Sequence, residues 1–145
     1  MYHEKFDPNY PLAISHLKFQ HYRFSKIDIE TAVLFEWFIV KTKSFKYQEF
    51  YYSAKRIRNE TGVRRRKLER IVNEFKQLGI INTSVRGLPQ VTYYKVNLER
   101  ASSDEVIKKF YEDDYFKNVK RYLAYLYTQT PESQFGLKSR SKKSR

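Results

Sequence analysis

Four consecutive cations, Arg64, Arg65, Arg66 and Lys67, are followed by Arg70, Asn73 and Gln77. These residue types suit polyanions and base edges: a guanidinium forks onto a guanine edge or a phosphate, and a carboxamide pairs with adenine. A second basic group, Lys55, Arg56 and Arg58, lies just upstream. Residues 55–70 therefore hold eight cations (55, 56, 58, 64, 65, 66, 67 and 70) against two acids, Glu60 and Glu69. Further on, Arg86 and Lys95 flank a turn, and the chain ends with Lys138, Arg140, Lys142, Lys143 and Arg145 in an acid-free stretch. Such an arm adds non-specific phosphate contacts or simply solubilises the end.

Covalent chemistry has little to work with. Cysteine is absent, which removes disulfides, a thiolate nucleophile and Cys-based zinc sites and fits a reducing compartment. The histidines, His3, His16 and His21, are too scattered for a metal site on one element. Four glycines, at 62, 79, 87 and 136, cannot build a phosphate-cradling Gly-rich loop. Glu112, Asp113 and Asp114 read as a solvated helix face, and no pattern singles out a tyrosine nucleophile for strand transfer. The expectation is a binding protein rather than an enzyme, without cofactor or metal.

Composition bounds the rest. The chain has 145 residues, 41% hydrophobic and 17% aromatic, which predicts one folded body with a Tyr- and Phe-rich core. A net charge of +13 and a pI near 9.8 make nucleic acid the first candidate partner and an anionic membrane the second. The polar residues 1–10 do not read as a signal peptide. The longest apolar run, 32–40, is interrupted by Glu36 and falls far short of the ~20 residues that span a bilayer. The chain is expected to be soluble and cytoplasmic, without a membrane partner.

The elements that must position the cations follow from periodicity and caps. Residues 1–24, broken by Pro8 and Pro11, read as an arm or short helix. Residues 29–42, with Asp28 as N-cap, are apolar nearly all round, as expected for a buried central helix. Residues 45–52 read as a short strand. Ser53 then caps a short helix, 54–61, of which Ala54 and Ile57 look inward. In 64–78 the stripe Leu68, Ile71, Val72, Phe75 and Leu78 has helical spacing, with Gly79 as C-terminal cap. At 100° per residue, Arg66, Arg70, Asn73 and Gln77 lie opposite that stripe. Arg65 and Glu69 flank them on one side, Lys67 and Glu74 on the other. Residues 80–86 and 90–98 form a hairpin around Gly87, Leu88 and Pro89. A last helix from Ser102, with Glu105 completing a capping box, buries Val106, Phe110, Phe116, Val119, Leu123 and Leu126 and stops before Pro131. The tail, 132–145, reads as disordered.

The order of helix, short strand, helix, Gly-containing turn, helix and hairpin is that of a winged helix-turn-helix, a mainly α, α+β fold, here with an extra C-terminal helix. The domain reading is 1–24 arm, 25–100 winged helix, 101–131 helix and 132–145 tail. A cationic run at a helix start opposes the helix dipole, so its presence calls for an anionic partner. The stretch 51–97, with T-G-V between the helices, L-G-I-I entering the hairpin and R-G-L-P and Y-Y-K-V-N closing it, resembles the winged helix-turn-helix of plasmid and phage replication initiators and related regulators. The resemblance covers about residues 28–98. It implies double-stranded DNA binding, often as a homodimer, with 64–78 as recognition helix, in replication initiation or transcriptional regulation of a plasmid, phage or mobile element. The expected DNA contacts are Lys55, Arg56, Arg58, Arg64, Arg65, Arg66, Lys67, Arg70, Asn73 and Gln77, with Arg86 and Lys95 on the wing. The alternative is a protein-interaction module in which Tyr111, Tyr115, Tyr122 and Tyr125 expose an aromatic surface.

Overall fold

The protein's structure, a computed structural model, describes residues 27–134, without the side chains of residues 113–116. The expectations for the arm at 1–24, for the tail cations, and for the side chains of Asp113, Asp114, Tyr115 and Phe116 lie outside the described residues.

The first helix, α1 (Ile29–Ser44), is the spine. Its aromatic side chains leave in different directions, so it needs cover on several sides at once. Phe35 meets Phe75 edge-on at 6.1 Å and Phe110 at 5.0 Å, Trp37 meets Tyr52 at 5.1 Å, and Phe38 meets Tyr94 at 5.5 Å. Edge-to-face pairs in this range add about 0.5–1.5 kcal/mol each beyond the area they bury. Asp28 does not cap α1 through its side chain. Its carboxylate instead takes the Thr31 hydroxyl and pairs with the Lys67 ammonium.

The expected strand over 45–52 contracts to β1 (Phe50–Tyr51). The residues before it finish α1: the Phe45 N–H donates to the Lys41 carbonyl at 2.9 Å and the Tyr47 N–H to the Thr42 carbonyl at 2.7 Å. Lys46 and Tyr47 adopt left-handed φ values of 55° and 66° to do so. Their amides are thereby taken from any ladder. Next comes α2 (Ala54–Thr61), where the Ser53 hydroxyl accepts from the Arg56 N–H. Only Ile57 of α2 is buried. Ala54, expected to face inward, sits in the first turn and is exposed.

The cationic helix is α3 (Arg65–Gln77), with Leu68, Ile71 and Phe75 buried and Val72 and Leu78 packed at the edge of the core. Its end is a Schellman motif: the Gly79 N–H donates to Lys76 and the Ile80 N–H reaches back to Phe75. That closure needs the left-handed φ of 81° at Gly79. The chain passes straight into β2 (Ile81–Arg86), turns at 87–90 and returns as β3 (Val91–Val96). The sheet is antiparallel in the order β1-β3-β2, with Phe50 opposite Tyr94 and Ile81 opposite Val96. The described residues are thus mainly helical with one small antiparallel sheet, an α+β fold.

The C-terminal segment differs from the single expected helix. It forms α4 (Leu98–Ala101), α5 (Asp104–Phe110) and α6 (Asp113–Thr128). Ser103, not Ser102, caps α5 by accepting from the Val106 N–H, and Glu105 pairs with Arg100 at 2.8 Å instead of closing a capping box. The break before α6 falls at Tyr111, which is extended (φ −128°, ψ 149°). The extension turns its ring inward, where its hydroxyl donates to the buried Glu36 carboxylate at 2.8 Å. The predicted stripe holds for Val106, Phe110, Val119, Leu123 and Leu126, all buried.

Tyr111 and Tyr122 are buried and Tyr125 is packed against the core, so the aromatic surface expected of these residues is interior. The segment is not an appendage either: one continuous core runs from Leu34 to Leu126, and the boundary placed at 100/101 divides nothing in it. Tyr111→Phe removes a donor from a fully buried carboxylate. It is expected to lower unfolding free energy by about 1–3 kcal/mol, read as a lower urea midpoint at unchanged m-value.

Candidate nucleic-acid interface

The turn between α2 and α3 sets the disposition of the two cationic helices. Thr61 folds its hydroxyl back onto the Ile57 carbonyl at 2.8 Å and accepts the Val63 N–H at 3.2 Å. The Gly62 N–H closes α2 on the Arg58 carbonyl at 2.8 Å. A Cβ at Gly62 would meet nothing within 4 Å. The φ of 75°, rather than lack of space, is what calls for glycine. Val63, 2% exposed, pins the turn to the core.

With Leu68, Ile71 and Phe75 inward, Arg66, Arg70, Asn73 and Gln77 are all exposed on the far side of α3. The twelve sequence-predicted residues then separate by charge pairing. Arg65 bonds Glu69 one turn on at 3.3 Å. Lys67 is held by Asp28 at 2.8 Å and Glu30 at 3.5 Å. Arg56 lies 4.3 Å over the Tyr52 ring and 3.9 Å from Glu60. On the hairpin, Arg86 pairs with Glu49 and stacks on Tyr93 at 4.3 Å. Lys95 bonds the Tyr47 carbonyl at 2.7 Å and Glu132 at 2.8 Å. Lys55, Arg58, Arg64, Arg66 and Arg70 have no ion-pair partner among the described residues. All five lie on α2, α3 or the turn between them.

The Asp28 carboxylate raises the proton affinity of Lys67 while the Arg70 guanidinium opposes it. Lys67 is thus pulled toward α1 and repelled along its own helix. Neighbouring cations that repel one another in this way are relieved by an external anion.

Glu60 was invisible to periodicity, yet it ties the helix pair to the spine. Its carboxylate accepts from the Tyr52 hydroxyl and from Trp37 Nε1 at 3.1 Å, and the Lys41 ammonium lies 3.0 Å away. Trp37 is 23 residues upstream and Tyr52 eight, distances no local pattern reports. The Tyr52 hydrogen bond, then those from Trp37 and Lys41, hold the carboxyl down at about 2 from its ordinary 4.5, against the opposing effect of partial burial. Glu49, which neutralises Arg86, and the Asp28–Lys67 contact were equally hidden.

Among the described residues no group of three or more His, Asp or Glu side chains is placed to hold a metal ion. Nor is any helix among them long and apolar enough to cross a membrane. Comparison of the chain with protein-family models, curated proteins and solved structures gives no match.

A depressed carboxylate contributes stability above its unfolded-state pKa and loses it as pH falls through the folded one. The shift at Glu60 corresponds to about 3 kcal/mol undamped. With the side chain 34% exposed, screening reduces this to about 1–2 kcal/mol. The urea midpoint is expected to fall between about pH 4.5 and 2, and Glu60→Gln to flatten that part of the profile while lowering stability at pH 7.

Proposed function

We propose that the chain is a double-stranded DNA-binding protein of winged helix-turn-helix architecture, with α2 and α3 as the helix pair, α3 as recognition helix and β2–β3 as wing. The observation that carries this reading is the set of five unneutralised cations, Lys55, Arg58, Arg64, Arg66 and Arg70, gathered on the helix pair while the other seven predicted residues include five cations already paired with acids. Arg66, Arg70, Asn73 and Gln77 share one exposed helix face, and their chemistry matches guanine and adenine edges in a major groove. Lys55, Arg58 and Arg64 suit the flanking phosphates, which position the helix without reading sequence. The element order of helix, strand, helix, turn, helix and hairpin supports the architecture.

The biological setting is proposed from the resemblance in residues 28–98: replication initiation or transcriptional regulation of a plasmid, phage or mobile element, in the cytoplasm. A homodimer would place two recognition helices about one duplex turn apart, on half-sites of a palindrome. The protein-interaction alternative loses its main support with the burial of Tyr111 and Tyr122.

Fluorescence anisotropy on a duplex of about 30 base pairs, enough for nearly three turns, tests the reading across a salt series. Log affinity is expected to fall with log salt at a slope of about −3, as for the three phosphate contacts of Lys55, Arg58 and Arg64. Arg66→Ala and Arg70→Ala should each cost about 1–3 kcal/mol and relax base preference, while Lys55→Ala should weaken all sequences alike and shrink the slope by about 1. Arg65→Ala, whose cation is already paired, should cost least. Absence of binding at low salt overturns the proposal.

A further inference from the structure

Leu88 stands 96% exposed at the tip of the β2–β3 hairpin, the most exposed large apolar side chain among the described residues. Val85, 57% exposed, lies just behind it. Turn tips ordinarily carry Gly, Asn, Asp or Ser, which satisfy the turn and keep water. A leucine so exposed contributes nothing to the core. The turn itself, Gly87-Leu88-Pro89-Gln90, is uncharged in a chain with 29 basic residues, and Arg86 opposite Val91 is the first cation below it. A tip meant for phosphates would carry some of them.

The cation nearest the tip, Arg86, is not directed to an outside anion. It pairs with Glu49, on the segment leading into β1, and lies over the Tyr93 ring. Tyr93 in turn meets Tyr51 across the sheet at 6.0 Å. These contacts cross-link the three strands immediately below the tip and stiffen it. The hairpin is joined to the end of α3 through Leu78, Gly79 and Ile80. Six residues per strand give it a length of about 20 Å. A major groove is about 12 Å wide. Its base is held in the core by Ile81, Tyr94 and Val96, so only the outer part of the hairpin, from about Val85 to Val91, projects. With α3 seated in a major groove, that part is what would meet the neighbouring minor groove.

We infer that Leu88 is a wedge, entering the minor groove and parting a base step, so that bound duplex is kinked. This rests on the winged-helix reading above. An apolar side chain pressed into a base step unstacks it and bends the duplex by about 20–90° toward the major groove. Its own burial offsets part of the unstacking. The uncharged tip suits the groove floor, and the paired Arg86 leaves that tip free of competing attraction to the backbone.

The test uses the full chain and a duplex of about 18 base pairs, near 60 Å long, with a donor dye at one end and an acceptor at the other. Energy transfer reads the bend and anisotropy reads the binding. Wild type is expected to bind and raise the transfer. Leu88→Ser should bind about tenfold more weakly and, at saturation, leave the transfer at the value of free duplex. Leu88→Met should retain the bend. Because Leu88 packs against almost nothing, both variants should unfold at the wild-type temperature.

Wild-type binding without added transfer, or a bend that persists in Leu88→Ser, overturns the wedge and leaves duplex binding intact. Failure of wild type to bind at all overturns the proposed function itself, and the two failures are read on separate signals.

Discussion

A helix that is apolar on nearly every side cannot lie on a surface. α1 has to be wrapped, and the rest of the fold is the means of wrapping it. Phe35 calls for α3 and α5, Trp37 for the segment around Tyr52, and Phe38 for the face of β3 that carries Tyr94. Each partner element has a strip of apolar residues just wide enough for that contact and gives its remaining surface to water. The cationic face of α3 is the outer side of one such wrapper. Its direction is set by which three residues, Leu68, Ile71 and Phe75, face the spine.

Two polar groups complete the wrapping. Glu60 draws Trp37, Tyr52 and Lys41 onto one carboxylate at the end of α2. Glu36 takes the hydroxyl of Tyr111 in the core and holds the joint between α5 and α6. Both are acids, in a chain with few to spare. Asp28, Glu30, Glu49, Glu69 and Glu132 are engaged as well, each with a cation outside the set left free on α2, α3 and the intervening turn. Of the cations expected to meet DNA, five without an ion-pair partner among the described residues thus remain on α2, α3 and the turn between them.

Local signals were legible in the sequence and contacts at long range were not. The inward stripe of α3, the Ser53 and Gly79 caps and the hairpin around Gly87 depend on neighbours within a few residues, and periodicity reports them faithfully. The core stripe of the C-terminal segment was also correct at Val106, Phe110, Val119, Leu123 and Leu126, although its continuity was not. Ser102 and Glu105 have the spacing of a capping box, but Ser103 is the residue that caps, and a single extended residue, Tyr111, splits the helix to satisfy a carboxylate 75 positions away. The strand expected at 45–52 failed for a similar reason, since closing α1 required the amides of Phe45 and Tyr47. For the candidate site, the sequence located the basic residues but not their pairing. Arg66 and Lys67 look alike in a row of cations; only the fold shows that Lys67 has Asp28 and Glu30 as partners and that Arg66 has none among the described residues.

The crowding of Arg64, Arg66, Arg70 and their neighbours has a thermodynamic side. Like charges held together on a folded surface repel, and they relax when the chain unfolds and spreads them apart. Small ions screen that repulsion over roughly 10 Å at 0.1 M. Ionic strength therefore acts on this molecule with opposite signs. It steadies the free protein and, on the proposed reading, weakens its hold on the duplex. At low salt a bound duplex would take over the ions' task, and the free energy of association would be added to that of the fold. On the proposed DNA-binding reading, the protein is most fragile when it is alone in dilute buffer, and the duplex is also its stabiliser.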